Sequence, residues 1–253
     1  MLRTGMLSIT FRQLQPEEII GLTVQAGLEA IEWGGDIHVP HGDVSAAKRV
    51  KQLMDEAGLV VASYGSYYKA GVNDPDGPAF EEVLSSAVAL GAPAIRIWAG
   101  DKGSMESSPE WRDQVTSDLI RVANQAEQHN IRIHLEFHGH TLTDTLDSTI
   151  ELLEAASHAN VRTNWQPLPH LSYEQQLESL DGVLPFLADV HVYYWQGVVR
   201  FPLSDGSVSW AAFLDRIRSS AVSDCFAMLE FVRDDDPGQF LEDARVLRRL
   251  LES

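Results

Sequence analysis

Three side chains in this sequence are of the wrong kind for the apolar runs that hold them. Glu136 lies in Ile131-Arg132-Ile133-His134-Leu135-Glu136-Phe137, His191 in Asp189-Val190-His191-Val192-Tyr193, and Glu230 in Met228-Leu229-Glu230-Phe231-Val232. A carboxylate among apolar neighbours is costly to keep charged unless something compensates it. Taken singly, each of the three is more often a hydrogen-bonded residue near a strand end. Two carboxylates and an imidazole on neighbouring strands, however, need a common cation. That donor set suits Mn²⁺, Mg²⁺, Co²⁺ or Zn²⁺ and argues against copper or an iron–sulfur cluster.

Other polar residues stand close to these in the same runs. Strand alternation puts His134, Glu136 and His138 on one face, with Leu135 and Phe137 on the other. The run Thr163-Asn164-Trp165-Gln166-Pro167-Leu168-Pro169-His170 offers no carboxylate, only the neutral carbonyl oxygen of Gln166, with His170 as a further ligand or substrate contact. His38 and His41 follow another such run and could bond substrate hydroxyls or simply stabilise a loop. Arg200 has a fork suited to oxyanions, against the plainer reading of a surface ion pair. Glu32 and Lys69 are second-tier candidates. Trp33, Trp98, Trp165 and Trp195 all fall at run ends, where they could wall a sugar site or pack the top of a core. His129 and His158 end helices, where the partial negative charge favours them, and receive no catalytic role.

The elements that must position these residues alternate regularly. Strand-like runs occupy 6–10, 29–33, 59–65, 94–99, 131–137, 161–165, 189–195 and 225–232. Each is short, rich in β-branched, aromatic or Leu residues, and bounded by Gly, Pro, Asn or Asp. Helical segments lie between them. Pro16-Glu17-Glu18 suits a helix start; Asp43 or Ser45 can cap a second helix, and Ser108-Pro109-Glu110 opens a long one. The introductions Ala26-Gly27-Leu28, Ala57-Gly58-Leu59 and Leu90-Gly91-Ala92 repeat before strands. Eight alternations without a break in composition predict one domain over residues 1–253, a (β/α)₈ TIM barrel of the α/β class. An open doubly wound sheet would usually carry a Gly-rich turn after its first strand, and none follows Met6–Thr10. In a (β/α)₈ barrel the active site lies at the C-terminal strand ends, where the candidates above fall.

Composition sets outer bounds. The 253 residues include 37 Asp and Glu against 19 Lys and Arg, for a formal charge of −18, which disfavours binding to a nucleic-acid backbone. Cys225 is the one cysteine, so neither a disulfide framework nor a Cys-based metal site is expected. No apolar run reaches the ~18 residues of a membrane span, and the first residues lack the pattern of a signal peptide. A cytoplasmic location without membrane partners is expected; homo-oligomerisation is left open.

These motifs in this order resemble the sugar phosphate isomerase/epimerase family, with its xylose-isomerase-like barrel, across nearly the whole chain. The matching stretches are Gly27-Leu28-Glu29-Ala30-Ile31-Glu32-Trp33, His38-Val39-Pro40-His41, Leu135-Glu136-Phe137-His138-Gly139, His191-Val192 and Leu229-Glu230-Phe231. Arg200-Phe201-Pro202-Leu203-Ser204-Asp205-Gly206, followed by Trp210, matches the stretch after the family's seventh-strand histidine. The resemblance implies a divalent metal held by Glu136, His191, Glu230 and a sixth-strand residue. That residue is usually Asp with a histidine three positions on; here it is Gln166, and His170 lies four positions on. It also implies Glu136 and Glu230 as acid and base; from their positions, His38, His41, His138, His170, Trp195 and Arg200 are expected near a carbohydrate substrate.

The expected activity is metal-dependent isomerisation or epimerisation of a keto-sugar or related polyol through an enediolate. A lyase or dehydratase using the same metal site is the alternative, and a non-catalytic sugar-binding barrel is the second. The family's DNA-repair branch would call for more histidine ligands and a basic groove, against the acidic charge.

Overall fold

A computed structural model describes residues 2–222 and 224–252. The strands of the barrel are β1 (Leu2–Leu7), β2 (Ala30–Gly34), β3 (Val60–Lys69), β4 (Ala94–Trp98), β5 (Arg132–Glu136), β6 (Val161–Trp165), β7 (Leu187–Val192) and, after a small hairpin β8 (Trp195–Gln196) and β9 (Val199–Arg200), β10 (Cys225–Leu229). All barrel pairings are parallel, and the sheet closes in the order β1-β10-β7-β6-β5-β4-β3-β2. Around it lie α1 (Pro16–Ala26), α2 (Val44–Ala57), α3 (Phe80–Leu90), α4 (Pro109–Glu127), α5 (Leu146–Ala156), α6 (Tyr173–Val183), α7 (Ser207–Arg218) and α8 (Pro237–Glu252). The expected (β/α)₈ barrel is therefore the fold.

Local chemistry sets the helix boundaries. Pro16 opens α1, and the Glu18 carboxylate accepts from the Gln15 backbone N–H at 2.8 Å. Of the two candidate caps on α2, Asp43 takes the role, accepting from Ala46 N at 2.9 Å. The repeated glycine before a strand has one cause: Gly27, Gly58 and Gly91 end α1, α2 and α3 at φ +67°, +68° and +69°, a backbone region that side-chain-bearing residues enter at a cost.

Several strand boundaries differ from the sequence expectation, and the third strand runs on to Lys69. The first strand begins at Leu2 rather than Met6, and Ser8–Phe11 form a 3₁₀ turn. Arg3-Thr4-Gly5 is weak strand sequence, but both of its edges are hydrogen-bonded by neighbours, β10 from Leu2 onward and β2 from Gly5 onward. The seventh strand stops at Val192, and the chain turns into the β8–β9 hairpin instead of running on to Trp195. The eighth ends at Leu229, which leaves Glu230 on the first residue beyond the sheet.

The molecule has two apolar regions. A large one lies between the barrel and its helices and holds Ile19, Met54, Leu90, Leu119, Leu153, Phe213 and Leu247. A small one plugs the lumen with Leu7, Ile9, Ala30, Ala62 and Met228. The rest of the lumen is polar. Among the described residues no helix is long and apolar enough to cross a membrane.

Candidate metal centre

Above the apolar plug, inward side chains from six strands converge. Glu136 is fully buried, and its Oε2 accepts from Arg96 Nη1 and, at 2.5 Å, from Trp98 Nε1. Arg96 reaches the other way to Glu32 Oε1 at 2.7 Å, and Ser63 donates to Glu32 Oε2 at 2.6 Å. The guanidinium is thus clamped between two buried carboxylates. Although burial acts to raise the Glu136 pKa, Arg96 and then His191 outweigh it and hold the group down at about 2.

His191 completes the cluster. Its Nδ1 stands 3.6 Å from Glu136 Oε1 and 3.5 Å from Glu230 Oε2, too far for strong hydrogen bonds and too close for indifference. One donor atom from each of Glu136, His191 and Glu230 falls within 4.8 Å of the others. Burial pushes the imidazole pKa down, but Glu230 and Glu136 push it up further, to about 9. With Glu32, Glu136 and Glu230 as carboxylates, the Arg96 guanidinium and a protonated His191 leave one negative charge over, and a neutral His191 leaves two. A divalent cation held by the neutral imidazole would balance those two charges.

Two unpaired atoms fit the same conclusion. His191 Nδ1 and Asn164 Oδ1 are buried without a hydrogen-bond partner, and Asn164 Nδ2 stands 3.4 Å from His191 Nε2. A carboxamide is nearly symmetric in shape and can turn over in place. Asn164 Oδ1 would then accept from His191 Nε2–H, which leaves the Nδ1 lone pair facing the carboxylates for a metal. Metal-binding histidines commonly donate their second N–H to such a carbonyl. The residues present fit a divalent ion.

A cavity of about 260 Å³ opens directly onto the cluster. Of the residues expected from sequence, Glu136, Gln166, Glu230, His138, His170 and Trp195 line it. Gln166 donates through Nε2 to Phe137 O at 2.8 Å and to Glu136 Oε1 at 3.4 Å. His138 stacks on Trp98, ring centroids 4.9 Å apart, with Nδ1 2.7 Å from the Gly139 carbonyl. Arg200 stands just outside, over the rings of Trp195 and Phe231 and paired with Asp235 at 2.5 Å.

His38 and His41 are not brought to the cavity. His38 Nδ1 is turned onto Ser8 Oγ at 2.9 Å, and His41 Nδ1 onto the Tyr64 hydroxyl at 2.8 Å. His134 shares the Glu136 face but lies at the opposite end of the lumen. The four strand-end tryptophans divide: Trp98 and Trp195 line the cavity, whereas Trp33 and Trp165 are fully buried, Trp165 donating to Ser179 on α6 at 3.0 Å. Lys69 sits 5.8 Å from the Trp98 ring. His129 and His158 stay on the helix side, His158 bonded to Asn124 at 3.3 Å. Sequence reasoning missed Arg96 and Asn164. Arg96 carries the signal that found Glu136, a polar residue at an inward position of an apolar strand, whereas Asn164 follows Arg162 and Thr163 in a strand without that contrast.

The chain is a closed (β/α)₈ barrel that gathers, at the C-terminal strand ends, two carboxylates and an imidazole that could hold a metal. Residues 20–250 match the family model of the xylose isomerase-like TIM barrel, and the chain belongs to that family. It is 25% identical over 262 residues to a 3-dehydroshikimate dehydratase of Bacillus anthracis, covering 91% of each chain. Among solved structures, a probable 3-DHS dehydratase from Bacillus anthracis superposes with TM-score 0.81 at 22% identity, covering 97% of this chain and 98% of that one. The E. coli 3-keto-D-glucoside 4-epimerase superposes with TM-score 0.76 at 16% identity over 100% of both chains. At those identities the two structures bear on the fold alone.

Proposed function

We propose that this protein is a divalent-metal-dependent lyase that dehydrates a small hydroxylated keto acid of the 3-dehydroshikimate class. The observation that carries this choice over a neutral sugar is Arg96, a buried guanidinium on the cavity wall whose Nη2 has no acceptor. A guanidinium with spare N–H groups suits a substrate carboxylate. The dehydratase relative, matched over 91% of each chain, supports the same substrate class.

Glu136, His191 and Glu230 would hold the ion. Gln166, whose amide nitrogen is engaged by Phe137 and Glu136, has its carboxamide oxygen left to complete the set. Bound there, the ion acts as a Lewis acid toward a substrate oxygen that gains negative charge. Proton transfer falls to His138. A carbonyl only accepts, so Nδ1 beside Gly139 O carries the proton and Nε2 offers a lone pair. Nε2 takes the proton next to the substrate carbonyl, and the Trp98 face stabilises the imidazolium so formed. The same proton then goes to the departing hydroxyl, which leaves as water, so the residue ends as it began.

Epimerisation of a keto-sugar is the second reading. Glu136 and Glu230, at 3.6 and 3.5 Å from the same imidazole nitrogen, favour it, as two carboxylates beside one reacting carbon can exchange protons on opposite faces. Incubating the Mn²⁺-loaded protein with 3-dehydroshikimate, and separately with D-fructose, decides between them. Loss of water with a rise in aromatic absorbance supports the lyase; a new stereoisomer of the sugar, with no aromatic product, overturns it.

A further inference from the structure

The barrel has a second opening at its N-terminal end, leading into a cavity of about 770 Å³. Its wall includes the small side chains of Ala62 and Ala94. In a chain of formal charge −18, the mouth gathers Arg3, Arg132 and Arg162 against Asp189 and Asp224. Arg3 is occupied by Glu29 at 3.0 Å. Arg162 gives one N–H to Pro185 O at 3.0 Å and keeps the rest of its fork. The Arg132 guanidinium has no partner among the described residues.

His134 points into this space from β5. It is only 6% exposed, yet neither ring nitrogen makes a hydrogen bond. Asp189 Oδ2 stands 3.4 Å from Nδ1, and Asp189 is itself held by the Phe226 N–H at 2.8 Å. A buried imidazole left unsatisfied in a mouth lined by Arg132 and Arg162 adds nothing to barrel stability. Its arrangement suits a ligand that brings acceptors.

We propose that this cavity is a second binding site, distinct from the metal centre, for a small oxyanion. The ligand is an organic carboxylate or a phosphate whose oxygens engage Arg132 and Arg162 and reach His134. Titration calorimetry of the full-length protein with benzoate and with inorganic phosphate tests it. Each charged hydrogen bond lost should weaken binding roughly tenfold or more. Arg132→Ala, at an exposed position without a partner, should therefore lose at least that much, while Glu230→Gln at the other end should leave the affinity unchanged. Binding of benzoate alone identifies a carboxylate site and binding of phosphate alone a phosphate site. Affinity unaltered by Arg132→Ala, or no heat from either probe at millimolar concentration, overturns the proposal.

Discussion

The two ends of the barrel lumen hold the same kinds of residue and treat them differently. At the C-terminal end, Arg96 is clamped between Glu32 and Glu136, and Glu136 also accepts from Trp98 and Gln166. At the N-terminal end, among the described residues, Arg132 has no partner and neither His134 ring nitrogen makes a hydrogen bond, with Asp189 3.4 Å away. The upper cluster is buried and needs its charges answered in place, because unpaired charge in a dry interior is costly. The lower cluster opens to water, which can solvate the arginines. The difference separates a preorganised centre from an open mouth. Of the atoms left unsatisfied in the upper cluster, His191 Nδ1 and Arg96 Nη2 belong to groups proposed to meet an ion or a substrate, and Asn164 Oδ1 to the group proposed to hold His191.

Removing a ligand is the strongest way to break this contrast. Glu230→Gln keeps the shape of the side chain and removes its charge, so turnover should fall by about 10³-fold or more while the fold persists. Near-wild-type activity in a folded variant would refute the metal centre. Arg96→Met should be the most destabilising change, by about 3–5 kcal/mol, since it strands Glu32 and Glu136 without their shared cation. Saturating Mn²⁺ should recover part of that loss by supplying charge to the same carboxylates. Denaturant melts with and without the ion read both effects.

Smaller perturbations sharpen the assignment of roles. His138→Asn should lower kcat by about 10²-fold or more and leave Mn²⁺ binding intact, as expected of a proton carrier outside the ligand set. A matching loss of metal would instead make it a ligand. Asn164→Leu removes the carbonyl proposed to accept from His191 and should weaken Mn²⁺ binding by about 10- to 100-fold. Unchanged affinity would mean that His191 needs no such partner.

The sequence carried more of this centre than a motif match alone suggests. Alternation within one strand sorts its residues: with Glu32 inward Trp33 must face the helices, and with Gln166 inward Trp165 must do so too, as both do. Arg96 was open to the same reasoning, since Ala94-Ile95-Arg96-Ile97-Trp98 buries a cation as plainly as its neighbours bury carboxylates. What alternation could not supply was contact across loops. The rotation of His38 onto Ser8 and of His41 onto Tyr64 depends on how the segment after β2 folds back, which no local pattern encodes. The β8–β9 hairpin was hidden because Tyr193-Tyr194-Trp195 is good strand sequence. Its turn signal, Gly197 at φ +59°, lies just beyond.

The smallest expected effect lies outside both ends of the lumen and serves as their control. Asp243 on α8 accepts from Leu203 N and Gln239 Nε2, both at 2.9 Å, and burial raises its pKa to about 6. A carboxyl whose folded pKa lies above its unfolded value favours the folded state only while protonated. The contribution is complete below about pH 4 and is lost as pH rises through 6. Asp243→Asn keeps an oxygen for both donors and cannot ionise. It should therefore gain roughly 1–2 kcal/mol over the wild type at pH 7.5, and nothing at pH 4. Urea unfolding at the two pH values measures the difference. A gap that does not change with pH would mean that the Asp243 carboxylate is as well solvated in the fold as in the open chain, and that only the metal centre forces charge into a dry interior.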